Sequence, residues 1–253
     1  MGLDLQKAGI WKRIAAWMLD AILFVVLIIG FIAFLAGILK YSTHLESLKA
    51  SYEKYETEYG VSFSISQDQY DGMTDEQIDN YHKAYFALMN DKDAMKSYNM
   101  VINLTLVIAT CSLLLTYLAL EVLLPVIFGN GQTVGKKIFG IGLVREDCVK
   151  ITTLQLLVRT LLGKFTVETM IPVYIILMLF FGTTGALGTV LLLVIVLVQI
   201  VMVLATRNHL AIHDYFAGTV VVDIQSQNIF NHPEDLIEYK KKLHADHVAR
   251  QDY

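Results

Sequence analysis

Arg13 and Asp20 stand seven residues apart in GIWKRIAAWMLDAILFVVLIIGFIAFLAGIL. On a helix that spacing puts them on nearly one face, about 10 Å apart along the axis. An ionisable side chain inside a bilayer-length apolar run costs about 2.5–3.5 kcal/mol on insertion scales, so it is kept for a partner or a function. Two kinds of chemistry fit. The residues can tie helices together through interhelical hydrogen bonds, with Asp20 neutral or paired, or they can form a cation or proton site. Arg13 has the reach to snorkel to headgroup phosphates. Asp20 does not, and Ala16 between them leaves room for another helix to approach.

Glu121 is the second intramembrane carboxylate, four residues before Pro125 in a later apolar run. A helix returning from the opposite side brings it to the depth of Asp20. Two carboxylates close together in low dielectric raise at least one pKa, so Asp20 and Glu121 form a candidate cation/proton site. The structural alternative is a bond from Glu121 to Arg13. The following segment, GNGQTVGKKIFG, superficially resembles a phosphate loop. Asn130 occupies a position that needs glycine, and Lys137 rather than Ser or Thr follows Lys136, which argues against nucleotide binding. Lys136 and Lys137 are expected to contact anionic lipid headgroups. Arg207, His209, His213 and Asp214 come after the last apolar run. The two histidines are four apart without the glutamate of HExxH, so no metal is expected there, and Asp214 reads as a capping or salt-bridging residue. No nucleophile and base are arranged for catalysis. The chain is expected to be neither an enzyme nor dependent on a cofactor.

The elements that must position these groups are helices in a bilayer. The 253 residues are 55% hydrophobic and only 17% charged, against roughly 25% charged in soluble domains, and mean hydropathy is +0.51. A net charge of −4 favours no nucleic-acid role. Four spans are predicted, at about 11–39, 98–128, 166–181 and 187–205, the last two joined by a glycine turn. The apolar core from Ala21 to Leu39 exceeds the roughly 7–15 residues of a signal peptide, so it reads as a retained span. Lys7, Lys12 and Arg13 precede the first span, and Lys136, Lys137, Arg145, Lys150, Arg159 and Lys164 lie in the connector 129–165. This bias predicts a cell-membrane protein with both termini cytoplasmic, including the tail 224–253 with Lys240, Lys241 and Lys242. Cys148 then faces the reducing cytoplasm and Cys111 lies in a span, so no disulfide is expected.

The outward-facing segment 40–97 holds eleven acidic residues against six lysines. Leu45, Leu48, Tyr52, Tyr55 and Tyr59 recur at helical spacing, as do Ile78, Tyr81, Tyr85, Leu88 and Met95, with Thr74 and Gln77 as a capping box. An extracytoplasmic helical hairpin with its tip near 60–72 is predicted, either as a packed subdomain or as a surface for a protein partner. In the cytoplasmic connector, IFGIGLVR and CVKIT read as a short β-hairpin turning at Glu146–Asp147. Thr152 and Gln155 cap a helix, LQLLVRTLLG, that either extends the third span or lies in the interface as an amphipathic helix with Arg159 on its polar face. The fold class is thus an all-α membrane protein, a four-helix transmembrane bundle with these two additions.

Taken together, Arg13 and Asp20, QTVGKKIFGIGLV, and HDYFAGTVVV resemble the RDD family of membrane proteins. The resemblance covers about 8–40 and 98–223 of a membrane domain spanning 8–223, and implies that Arg13, Asp20 and Asp214 are the arginine and two aspartates of the family's name. Two departures are the long segment 40–97, where the family has a short connector, and Cys148, where many members have glycine. Transport of small ligands, in some members cation/proton exchange, is what the resemblance implies. The expected function is a small transporter of H+ or Na+ acting through Asp20 and Glu121, and four spans being few for alternating access, as a homodimer. The alternative is a non-transporting scaffold or assembly factor that binds a partner through its outer loop.

Overall fold

A computed structural model describes residues 5–180, 182, 185–206 and 208–251. Its elements are α1 (Ile10–Ile38), α2 (Tyr41–Tyr59), α3 (Gln67–Asp71), α4 (Asp75–Asn90), α5 (Lys92–Phe128), α6 (Val134–Ile138), β1 (Ile141–Arg145), α7 (Thr153–Phe180), α8 (Gly185–Ala205), α9 (Ile212–Ala217), β2 (Thr219–Asp223) and α10 (Pro233–Gln251). Among the described residues four helices are long and apolar enough to cross a membrane, α1, α5, α7 and most of α8. The chain divides into two compact units, Ile28–Ser112 and the remainder, Met1–Leu27 with Leu113–Tyr253.

In the unit Ile28–Ser112, Tyr52, Tyr55, Tyr59 and Leu88 of the helical stripes read from sequence enter the core. Tyr55, Leu88 and Ala94 are buried, with Tyr52, Tyr59, Phe63 and Ala87 packed on them. Lys40 and Gly60, both at positive φ, bound α2. The Thr74–Gln77 box forms at the start of α4, and a second box, Ser66 with Gln69, starts α3. Asp91 links α4 to α5: one carboxylate oxygen accepts from the amides of Asp93 and Ala94, the other from the Tyr55 hydroxyl at 2.9 Å. Tyr85 departs from the expected stripe and is 42% exposed.

The other unit is organised by a two-stranded antiparallel ladder. Its register sets Ile141 against Asp223, Leu143 against Val221 and Arg145 against Thr219. Strand side chains alternate between faces, and here both faces are covered. Ile141, Leu143 and Val221 pack with Ala8, Ala16, Ile151 and Leu156, while Val144, Val220 and Val222 pack with Leu210. This corrects the local hairpin. The turn at Glu146–Asp147 forms, but CVKIT makes only a bridge from Lys150 to Val144 and otherwise pairs with Phe230 of the C-terminal segment. The β-branched run TVVVD gives β1 a longer and drier partner than the polar VKI can. Cys148 holds φ +66, a left-handed conformation that glycine favours. The N-terminal segment joins the same structure through a Lys7–Val222 bridge and a Lys12–Asp223 ion pair of 2.6 Å.

The third span differs from its expected limits. It does not begin at 166; it is one helix from Thr153, whose start is capped by Thr152 and Gln155 as expected. The segment LQLLVRTLLGKFTVETM is thus continuous with the third span and not a separate helix. Its winding is π-helical from Arg159 to Met170, and α5 is π-helical from Ala119 to Leu123. Proline explains part of this. Pro125 has no N–H to give the carbonyl of Glu121, and the Thr160 hydroxyl donates to that carbonyl instead, at 3.4 Å.

Candidate functional site

The two π-helical stretches carry charge inward. Arg159 lies on α7 and is 2% exposed, the reverse of the polar-face position expected of it. Its Nε donates to Asp214 Oδ1 at 2.9 Å and its Nη1 to Glu121 Oε2 at 3.0 Å. Glu121 also accepts from Lys164 Nζ through Oε1, and Lys136 Nζ lies 3.7 Å from Oε2. Three cations thus surround one carboxylate, and Arg13 is not among them. Buried charges persist only when paired in this way, since removal of a partner leaves an uncompensated ion in low dielectric.

Arg13 reaches the far end of the chain. Its Nη1 donates to the His209 carbonyl at 2.8 Å and its Nη2 lies 3.8 Å from Asp214 Oδ2. Asp214 is 1% exposed and also accepts from the Thr219 hydroxyl at 3.2 Å. Burial alone would raise the Asp214 carboxyl, but Arg159 above all, with His213 and Arg13, holds it well below the usual carboxylate range. Arg207 lies outside the described residues.

Asp20 has a separate task. It accepts from the Thr133 hydroxyl at 2.5 Å and from the Gly135 amide at 2.8 Å, which fixes the loop 129–133 and the start of α6 against α1. Thr133 in turn caps α6 by accepting from the Lys136 amide. Gly135 permits the approach: a Cβ there would collide with the Ala16 carbonyl. Asp20 and Glu121 therefore line one site, but each is bound to its own partners. Lys136 turns inward and is 8% exposed, which removes it from the lipid headgroups; Lys137 remains exposed, with its ammonium 4.0 Å from the Phe128 ring centre.

A second pair completes the site. Glu168, on the third span, meets the His213 ring Nδ1 at 2.7 Å and accepts from the His213 amide at 3.2 Å and from Gln199 Nε2 at 3.2 Å. Burial, reinforced by Arg159, lowers the His213 pKa, and its ring Nδ1 faces the Glu168 carboxylate. Gly163 lets α9 lie this close, because a Cβ there would strike His213. A cavity of about 410 Å³ opens beside the pair and is lined by Asp20, Glu121, Lys164, Glu168, Gln199 and His213. A neighbouring cavity of about 230 Å³ reaches Arg13, Lys136, Arg159 and Asp214. Among the described residues no group of three or more histidine, cysteine, aspartate and glutamate side chains is placed to hold a metal ion.

Arg159, Lys164, Glu168 and His213 were not recognised as site residues from the sequence. One signal was available: Glu168 precedes Pro172 by four residues, just as Glu121 precedes Pro125. A protein-family model described as the RDD family matches residues 7–218. No curated protein and no solved structure matches the chain.

Proposed function

The chain belongs to the RDD family, and we propose that it is a small transporter exchanging a monovalent cation such as Na+ for H+. The observation that carries this reading is the cavity of about 410 Å³ among span residues, where Asp20 and Glu168 supply carboxylate oxygens beside His213. Most of the cations nearby are engaged on Glu121 and Asp214. This shifts the exchanging pair from Asp20–Glu121 to Asp20–Glu168. A dehydrated cation takes oxygens from both carboxylates, and a proton arriving on the Glu168–His213 pair removes its charge complement and releases it. The lysine and arginine bias supports a cell-membrane protein with both termini cytoplasmic, and a homodimer would supply the helices that alternating access needs. No enzymatic step enters.

Proteoliposomes loaded with a pH dye test this. A Na+ gradient should drive proton movement with the wild-type protein, and Glu168→Gln or Asp20→Asn should abolish it. Exchange at wild-type rate in either variant refutes the reading.

A second reading has its own support. The unit Ile28–Ser112 has an independent aromatic core and a cavity of about 300 Å³ lined by Tyr52, Tyr81, Tyr85 and Tyr98, which suits partner binding by a scaffold. Deleting 44–95 separates the two: intact cation exchange with loss of a co-purifying partner favours the scaffold, and a harmless deletion with no partner removes it.

A further inference from the structure

Lys136 is the one charged residue of the cluster that has been brought inside without being given a hydrogen bond. Its Nζ is buried and makes none among the described residues. The nearest carboxylate oxygen, Glu121 Oε2 at 3.7 Å, is already taken by Arg159 at 3.0 Å, and Lys164 occupies the other oxygen. An ammonium carries three donors, and leaving them unmade in a buried site favours loss of the charge.

The charged groups facing Lys136 come from three elements: Asp20 on α1, Glu121 on α5, and Arg159 and Lys164 on α7. The two carboxylates do not hold it. Glu121 is shared among three cations, and Asp20 is bound to Thr133 and Gly135. Both also line the larger cavity, where the transport reading places the cation. Lys136 itself lines the smaller cavity, which shares Asp20, Glu121 and Lys164 with the larger one.

We propose that Lys136 is a proton-exchanging residue of the transport cycle, positively charged while the cavity is empty of cation and neutral while a cation occupies it. The inference rests on the transport reading above and adds a coupling device to it. The step is a simple proton transfer. Lys136 Nζ–H gives its proton to cavity water, the bonding pair stays on nitrogen as a lone pair, and no electron changes hands. A cation between Asp20 and Glu168 then meets one positive charge fewer. When the cation leaves, the amine takes a proton back, and the restored charge repels a second cation from the same side. Burial, opposed by Glu121, supports this by bringing the Lys136 pKa down to about 8 from the ordinary 10.5.

Two variants separate charge from shape. Lys136→Arg keeps a permanent cation and Lys136→Met a permanent neutral side chain. Wild-type Na+-driven proton flux in proteoliposomes should show a pH limb centred near 8. Lys136→Arg should lose at least tenfold in flux at every pH, and Lys136→Met should lose the limb and move fewer protons per Na+, those that remain being carried by the Glu168–His213 pair. A transport-independent measurement runs beside it: melting temperature in detergent against pH. Between about 8 and 10.5 the unfolded chain binds the Lys136 proton and the folded one does not, so wild type gains stability over Lys136→Met as pH rises through that window. A flat difference overturns the proposal. So does a pH limb that survives in Lys136→Arg. If the stability step is present but wild type moves no protons with Na+, the transport reading falls, and the coupling role falls with it while Lys136 still titrates.

Discussion

Replacing Arg159 by methionine removes the guanidinium that bridges two carboxylates while keeping an unbranched side chain in its place. The two carboxylates lose unequally. Glu121 keeps Lys164 on one oxygen and Lys136 at 3.7 Å from the other. Asp214 keeps Arg13 at 3.8 Å, His213 Nε2 at 3.7 Å, the Thr219 hydroxyl at 3.2 Å and the Ala211 amide at 3.4 Å, all long contacts. The uncompensated charge therefore settles on Asp214, which is 1% exposed. Breaking one partner out of a buried ion pair costs about 3–5 kcal/mol, and two bonds lost at once point to the upper half of that range. At about 2–4 °C per kcal/mol for a chain of this size, the melting temperature in detergent should fall by roughly 8–20 °C. Arg145→Met serves as the control, since Arg145 and Asp147 pair at 2.9 Å on the surface and such pairs are worth about 0–1 kcal/mol. Adding Asp214→Asn to Arg159→Met should recover more than half of the loss, because the stranded charge is then gone. A single variant no less stable than the control, or a double variant no better than the single, would show that the cluster is not a buried charge network.

Two other perturbations probe how the site is held. Gly163→Ala should destabilise by about 1–3 kcal/mol, although alanine is the better helix former, because its methyl would meet His213; a gain in melting temperature refutes the close packing of α9 on α7. Asp20→Asn should weaken the Thr133 and Gly135 anchors, at about 1.5–3 kcal/mol for hydrogen bonds to a charged group, and speed amide hydrogen exchange at Gly135 and Lys136 at least tenfold; unchanged protection there denies Asp20 its anchoring role.

Much of this structure is visible in local sequence. The spans declare themselves by length, and the boxes at Thr74 and Thr152 by three-residue spacing. Arg13, Asp20 and Glu121 stand out because a charge in an apolar run is conspicuous. Arg159 and Lys164 do not stand out, because in LLVRTLLGKF they resemble the polar face of a surface helix. Their inward direction depends on π-helical winding, which shifts the helical face and which no spacing rule anticipates. Lys136 looks like a headgroup contact until Thr133, held by Asp20, fixes the start of α6. The β1–β2 ladder is missed for another reason. A nearby segment of fair strand character competes with a distant one, and only the tertiary fold shows that the distant one is drier.

The ladder also has a consequence for the order in which the molecule is made. Ile141–Arg145 waits for Thr219–Asp223, and Arg159 waits for Asp214, which is synthesised 55 residues later. At about 5–20 residues per second that is a delay of roughly 3–11 s. Glu121 has already emerged and serves as the interim partner. All four spans are thus translated before the residues that close the polar network exist, and a chain truncated before Thr219 retains its spans but has no strand with which to close β1. Final assembly of this membrane protein therefore follows translation of its fourth span.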